Sequence, residues 1–398
     1  MWTNLWCRTF QAVLKFGNYF MGYRMPYCIE GPGKIRELGT FLREKKINDV
    51  LVVTGEGMIR RGQVQPMLDG FEENDIRYTI QSYKTTDPTS EDVEAGYATY
   101  KKYDCKAIVA IGGGSRIDCA KGIAAKVVHP RKAIVQLQGN LKVHHPIPTL
   151  IAIPTTAGAG SETTVAAVII DSTTLRKASI NDPFLTPKYA VLDPELTVDL
   201  PAHTTATTGM DALAHAVEAY TNQTYNTKVE NTLALEAVRL IHDNILTAYE
   251  DGSDLEARQN MQRAAFYAGR AFTRGCVGYV HAIGHTLGSL YGLSHGLAMA
   301  VLLPRVMRRY GEAAYKRLAD LADVCGICGK DAAEKANLFL DWIEETNTKM
   351  DLPNKFEMIR NEDIEQMISW AQKEANPLYP VPVVWNREDF KSFIESIR

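Results

Sequence analysis

No run of 18 consecutive apolar residues occurs anywhere in this chain of 398 residues, so no segment is expected to span a membrane. An excess of one charge is also missing. The 44 basic and 47 acidic side chains leave a formal net charge of −3. Without a basic surplus nothing attracts a phosphate backbone, and nucleic acid is not an expected partner. Repeats and low-complexity tracts are absent. With 45% hydrophobic and 23% charged residues, disordered and collagen-like architectures are excluded. Cysteine is sparse and odd in number: Cys7, Cys28, Cys105, Cys119, Cys276, Cys325 and Cys328. Such irregular spacing argues against a disulfide framework and for a reducing, cytoplasmic setting. Cys325-Gly-Ile-Cys328 lacks the second pair of a zinc ribbon and the βαβ surroundings of a thioredoxin-like motif. Two packed thiols near a helix end are expected instead. Acidic residues are missing from the first 24 positions, which carry Arg8, Lys15 and Arg24. Arg8 and Lys15 interrupt any apolar signal-peptide core. Trp2, Trp6, Phe10, Leu14 and Phe20 recur at near-helical spacing. They predict an amphipathic helix packed on the body or on a second subunit, with a membrane-surface helix as the alternative.

Proline is absent between Pro201 and Pro304. That stretch, rich in Ala, Leu, Glu and Arg, predicts consecutive helices. Before Pro201, short apolar runs alternate with helical patterns: residues 50–54, 76–80, 107–111 and 150–153. Buried parallel strands with crossover helices produce this signature. The expected organisation is an α/β domain over 1–200, including the N-terminal segment 1–24, and an all-helical domain over 201–398.

What is present is concentrated in a few places. The run 107–111 leads into Gly112-Gly113-Gly114-Ser115-Arg116-Ile117-Asp118 and a helical pattern. Glycines without Cβ atoms let backbone N–H groups approach a diphosphate, and the following helix N-terminus adds partial positive charge. The order is not G-x-G-x-x-G, and a plain tight turn is the competing reading. A second loop, Pro154-Thr155-Thr156-Ala157-Gly158-Ala159-Gly160, follows the run 150–153. Two such loops at strand ends fit the crevice where open α/β sheets bind nucleotides.

Histidine is scarce, at nine residues, yet three fall at 281, 285 and 295. Asp211 and His215 stand four apart, as do His281 and His285, so each pair shares a helix face. His295 is expected to start the next helix after a Gly-Leu-Ser turn. A lone histidine on an apolar helix is more often a hydrogen-bonded core residue, but this combination suits a divalent metal such as Fe²⁺ or Zn²⁺. Ala282 stands where H-E-x-x-H would have glutamate, so the general base of a metalloprotease is missing. A nucleotide crevice together with a helical metal site suggests metal-assisted hydride transfer.

Together, Gly112–Asp118, Pro154–Gly158, Gly209-Met-Asp-Ala-Leu-Ala-His215 and His281-Ala-Ile-Gly-His285 with Ser294-His-Gly296 resemble the iron-containing (group III) alcohol dehydrogenase family. The resemblance runs from Tyr27 to Pro380. It implies an N-terminal dinucleotide-binding α/β domain, a C-terminal helical metal domain and catalysis in the cleft between them. The metal ligands it implies are Asp211, His215, His281 and His295. His285 matches a non-ligand position near the substrate and is assigned a proton-relay or anchoring role. Gly113, Gly114, Ser115, Asp118, Thr155, Thr156, Gly158 and Lys177 are the implied cofactor contacts. Gly55 stands where some members have an aspartate that holds the adenosine ribose. Glycine leaves room for a 2′-phosphate, which Arg60 and Arg61 could pair. The balance tilts from NAD(H) to NADP(H), although Glu56 could still reach a ribose.

The expected function is therefore a metal-dependent alcohol dehydrogenase or aldehyde reductase acting on a small alcohol or aldehyde, with a dimer as the expected assembly. A polyol dehydrogenase, a dehydroquinate synthase-like lyase and a non-enzymatic metal-binding scaffold are the alternatives. The apolar helices around the histidines do not suit the dense basic pocket that a lyase's phosphorylated substrate needs.

Overall fold

The computed structural model describes residues 2–84 and 87–398; the side chains of Trp2 and Thr3 lie outside the described set. The chain forms two compact units, Gly22–Asp199 and Met1–Met21 with Leu200–Arg398.

Among the described residues nine strands occur, all in the first unit: β1 (Tyr27–Glu30), β2 (Asp49–Gly55), β3 (Arg77–Tyr83), β4 (Ala107–Gly112), β5 (Gly139–Asn140), β6 (Thr149–Pro154), β7 (Ala166–Ile170), β8 (Lys177–Asn181) and β9 (Tyr189–Leu192). Six of them form a fully parallel sheet in the order β1-β9-β6-β4-β2-β3. The four apolar runs read from the sequence become β2, β3, β4 and β6. Edge strand β1 and the short β9 escaped that reading, as did the separate sheet β5-β8-β7. Their runs are short, and β7 alternates buried and half-buried residues, so none shows a long apolar stretch.

The sheet is covered on both faces. Leu51, Val53, Ile108, Ala110, Leu150 and Ala152 point into one core. Val50, Val52, Val109, Ile111, Ile151 and Ile153 point into the other. This two-residue alternation is the pleat, and each fully buried aliphatic side chain contributes roughly 1.5–3 kcal/mol. Because β6, β4 and β2 are neighbours, the loops after them share one carboxyl edge. Gly112 has φ +150°, a conformation that L side chains rarely adopt, where β4 turns into helix Gly114–Val128.

The second unit is helical among its described residues. Helix Ala202–Thr221 is almost wholly buried, and helices Lys228–Glu250 and Leu255–Gly275 pack against it. Thr227 and Glu230 form a capping box, and Asp254 caps the helix that follows.

The N-terminal helix, Trp2–Tyr19, belongs with this helical unit, whereas the sequence grouped residues 1–24 with the α/β domain. Its inward face carries polar side chains. Cys7, Gln11 and Asn18 are buried, while Trp6 and Phe20 are exposed. Hydrogen bonding decides this: Arg8 and Gln11 donate to backbone carbonyls of the loop near residues 377–382. No described helix is long and apolar enough to cross a membrane. All seven cysteines are free; Cys325 is half-buried and Cys328 exposed.

Candidate active site

Asp211, His215 and Glu218 occupy one face of helix Ala202–Thr221, at positions i, i+4 and i+7. From Gly209 to its end the helix is buried and mostly apolar, which carries these polar groups out of water. Helix Tyr279–Tyr291 brings His281 in its first turn and His285 one turn later. Gly292, at φ +64°, ends that helix, and Ser294 precedes helix His295–Tyr310. A Cβ on Gly296 would lie 2.2 Å from the Thr207 carbonyl oxygen. The missing side chain therefore lets this last helix approach Ala202–Thr221 closely enough for His295 to reach Asp211.

One donor atom from each of Asp211, His215, His281 and His295 lies within 4.8 Å of the others. Asp211 Oδ1 is 3.3 Å from His295 Nε2, 3.8 Å from His215 Nδ1 and 3.9 Å from His281 Nε2. A tetrahedral shell with bonds of about 2.1 Å spaces its donors about 3.4 Å apart. Asp211 Oδ1, His215 Nδ1 and His281 Nε2 are buried without hydrogen-bond partners. Such atoms are costly unless something completes them. The donor set, three imidazoles and a carboxylate, fits a divalent first-row metal.

The electrostatics agree with this fit. Burial lowers the His215 imidazole to about 3 against the pull of Asp211. Burial likewise holds His281 well below the ordinary histidine range. Both rings are neutral near pH 7, the form that binds metals. Burial pushes the Asp211 carboxyl up, but His215, His295 and His281 more than offset it and hold it below the carboxylate range.

His281 Nδ1 lies 2.5 Å from Glu218 Oε2, while Glu218 Oε1 accepts the Val280 N–H at 2.8 Å. Burial pushes Glu218 up to about 7, against the backbone N–H groups that stabilise its charge. A Cβ on Gly278 would sit 2.7 Å from Glu218 Oε1, so glycine there leaves space for the carboxylate. His285 lies beside the four grouped residues and is not one of them. Its Nδ1 is 2.7 Å from Glu374 Oε1, and its ring stacks on His295 at 5.2 Å.

In the α/β unit, Gly113 caps helix Gly114–Val128 with Ser115 in the first turn. The Ser115 carbonyl accepts the Tyr83 hydroxyl at 2.8 Å. A Cβ on Gly114 would come within 2.9 Å of the Ala159 Cβ, so the two glycine loops touch. Thr155 donates its N–H to Gly112 at 3.1 Å, and Thr156 and Gly158 follow in the same loop. Asp118 spends its carboxylate internally, accepting Ser161 Oγ at 2.6 Å and the Val168 N–H at 3.0 Å. Lys177 is exposed on β8 and pairs with Asp87 at 3.1 Å.

The iron-containing alcohol dehydrogenase family model matches residues 26–194, and the C-terminal model of the Fe-containing alcohol dehydrogenase family matches 205–397. The chain belongs to the iron-containing alcohol dehydrogenase family. It is 36% identical over 362 residues to the NAD-dependent methanol dehydrogenase of Bacillus methanolicus, covering 90% of this chain and 94% of that protein. It is 36% identical over 371 residues to the 1,3-propanediol dehydrogenase of Klebsiella pneumoniae, covering 89% and 95%. A crystal structure of a 1,3-propanediol oxidoreductase superposes with a TM-score of 0.90 at 32% identity, over 95% of this chain and all of that one. The protein is thus an oxidoreductase acting on CH–OH groups.

In this alcohol dehydrogenase Gly55 ends β2, where a Cβ would lie 2.9 Å from Arg116 Nε. Arg116 stacks on the Tyr83 ring at 4.0 Å. A cavity of about 340 Å³ opens beside it, lined by Glu56, Gly57, Arg60, Tyr83, Lys84 and Arg116. Of the two arginines expected there, Arg60 lines it and Arg61 bonds Gln63 instead, at 3.1 Å. Lys84 and Arg116 were not foreseen, because β3 and the glycine loop bring them in from distant sequence. Glu218 was missed in the sequence, although it continues the 211–215 helix face. Glu374 was missed too, standing 89 residues beyond His285.

Proposed function

We propose that this alcohol dehydrogenase interconverts a small alcohol and its aldehyde, using NAD(P)(H) and a divalent metal held by Asp211, His215, His281 and His295. The observation that carries the proposal is the trio of buried, unpaired atoms, Asp211 Oδ1, His215 Nδ1 and His281 Nε2, facing one another. When bound, Fe²⁺ or Zn²⁺ would supply Lewis acidity toward the alcohol or carbonyl oxygen, and the nicotinamide would supply the hydride acceptor or donor. The chain's own groups do the rest. Glu218 accepts a hydrogen bond from His281 Nδ1–H, which keeps the ring proton there and presents Nε2 as a lone pair. Glu374 does the same for His285, leaving His285 Nε2 to take or return the substrate's hydroxyl proton.

On the cofactor side, Gly113, Gly114 and Ser115 meet the diphosphate together with Thr155, Thr156 and Gly158, and Lys177 reaches a ribose. Asp118 braces the loops through Ser161 and Val168 in place of a direct contact. NADP(H) is the preferred cofactor: Gly55 places no carboxylate against a 2′-phosphate, and Arg60, Lys84 and Arg116 surround the space beside it. Relatives named for methanol and 1,3-propanediol support a small, weakly polar substrate, a diol included. We read the enzyme as cytoplasmic and dimeric; the exposed Trp6, Phe16, Tyr19 and Phe20 on the N-terminal helix support a partner subunit.

Anaerobic metal analysis followed by an alcohol and aldehyde panel with NADH and NADPH tests this reading. His281→Ala should lose both metal and turnover. Full metal-dependent activity in that variant would refute the ligand set.

A further inference from the structure

We infer that the N-terminal helix is a positioning element for His285, acting through the loop near residues 377–382, Tyr379 and Glu374. The inference rests on the reading of His285 as the group that handles the substrate proton. Helix Trp2–Tyr19 precedes the first family-matched residue, 26. Its contacts are directed at one loop. Gln11, only 1% exposed, donates from Nε2 to the carbonyls of Pro377 at 3.0 Å and Tyr379 at 2.9 Å. Arg8 donates from Nη2 to the carbonyls of Val381 and Pro382, both at 2.9 Å. Its Nη1 holds the Gln11 amide oxygen at 2.9 Å, which turns the amide N–H groups toward the loop. Tyr225 adds its hydroxyl to the Leu378 carbonyl at 2.9 Å. Among the described residues no backbone N–H reaches these carbonyls, so the side chains of Arg8, Gln11 and Tyr225 define the loop's path.

That path sets where Tyr379 stands, and Tyr379 reaches the active site. Its hydroxyl donates to Glu374 Oε1 at 3.1 Å, and the same oxygen faces His285 Nδ1 at 2.7 Å. One oxygen serving two partners transmits displacement: a shift of Tyr379 moves the atom that orients the imidazole. Burial opposes the charge on Glu374, but His285 beside it more than offsets this and holds the carboxyl below its ordinary range. Glu374 is therefore ionised near pH 7 and only accepts, so a ring proton is held on His285 Nδ1 and exchange with the substrate falls to Nε2. A helix that merely covered apolar core would not need buried Gln11 and a forked Arg8 on its inner face.

The test uses the full-length, metal-loaded enzyme with propanal and NADPH. Gln11→Ala and Tyr379→Phe are made singly and together, with His285→Ala as reference. Misplacement of a reacting group by about 1 Å costs up to 10²-fold. We expect kcat to fall about tenfold in each single variant, with KM and metal content within about twofold of wild type. The double variant should fall no further than the worse single one, because both cut the same chain of contacts. Amide exchange at Leu378, Tyr379 and Val381 should quicken in Gln11→Ala and not in Tyr379→Phe. Should Gln11→Ala fail to fold, Arg8→Lys, which keeps the charge and loses the fork, takes its place. Unchanged kcat in both single variants, or losses that multiply, would overturn the inference. Wild-type kcat in His285→Ala would instead overturn the proton-handling reading beneath it.

Discussion

Replacing Glu218 by glutamine should strip metal from the active site without unfolding the helical unit. Glu218 accepts the Val280 N–H at 2.8 Å through one oxygen and faces His281 Nδ1 at 2.5 Å through the other. A glutamine can keep only one of these. With its oxygen on Val280, its NH₂ faces His281 Nδ1, which must then accept. The imidazole proton moves to Nε2, the atom aimed at Asp211 and the other ligands. With the amide reversed, two donors confront each other at Val280. The first orientation costs the histidine its ligating tautomer; the second keeps that tautomer but leaves the buried Val280 N–H facing another donor, so neither holds His281 as the carboxylate does. Loss of such a supporting contact typically weakens metal affinity 10–100-fold, or about 1.4–2.8 kcal/mol. A competition titration against a fluorescent chelator, performed anaerobically on the metal-free protein, measures this directly. A dissociation constant within twofold of wild type would refute the argument, and so would a loss matched by general unfolding in circular dichroism.

Gly55→Asp should place a carboxylate against Arg116, drawing that guanidinium away from the neighbouring cavity and repelling a 2′-phosphate. The ratio of NADPH to NADH affinity, read by fluorescence quenching, should fall at least about tenfold; an unchanged ratio removes this cavity from cofactor choice. Burial pushes the Cys276 and Cys325 thiols up to about 12, and Cys328 is exposed. Alkylation at pH 8 followed by peptide mapping should therefore modify Cys328 first, and early labelling of Cys276 would contradict its placement. Burial also pushes Glu162 up to about 7, above its unfolded value of about 4.5. The folded chain then holds a proton that the unfolded chain has lost, so this group's contribution is present below about 4.5 and fades as pH rises towards 7. Denaturant titrations from pH 4.5 to 7.5 should show a shallower decline in Glu162→Gln than in wild type, and parallel curves would count against the shift.

Much of this was legible before any coordinates. The apolar runs at 50–54, 107–111 and 150–153 had to be buried on both faces, and a parallel sheet provides that. The spacings 211–215 and 281–285 placed pairs of ligand-type residues on single helix faces, because the helical repeat is local. The N-terminal helix was legible as a helix but not in its orientation. Which side packs on its own unit did not follow from the aromatic spacing, since the carbonyls that capture Arg8 and Gln11 lie more than 360 residues away. The same limit hid Lys84 and Arg116 at the cavity beside Gly55, and Glu374 behind His285.

The sequence by itself determined which residues could do chemistry here: glycine loops after buried strands, and imidazoles paired with a carboxylate on apolar helices. Those are consequences of backbone periodicity and donor chemistry, which act within a few residues. Tertiary structure decided which donor atoms are left unpaired, which carboxylate stands behind each histidine, and which cation faces Gly55. These depend on close approach between helices, as at Gly296 against Thr207. No local rule contains such contacts, because they exist only once the whole unit has packed.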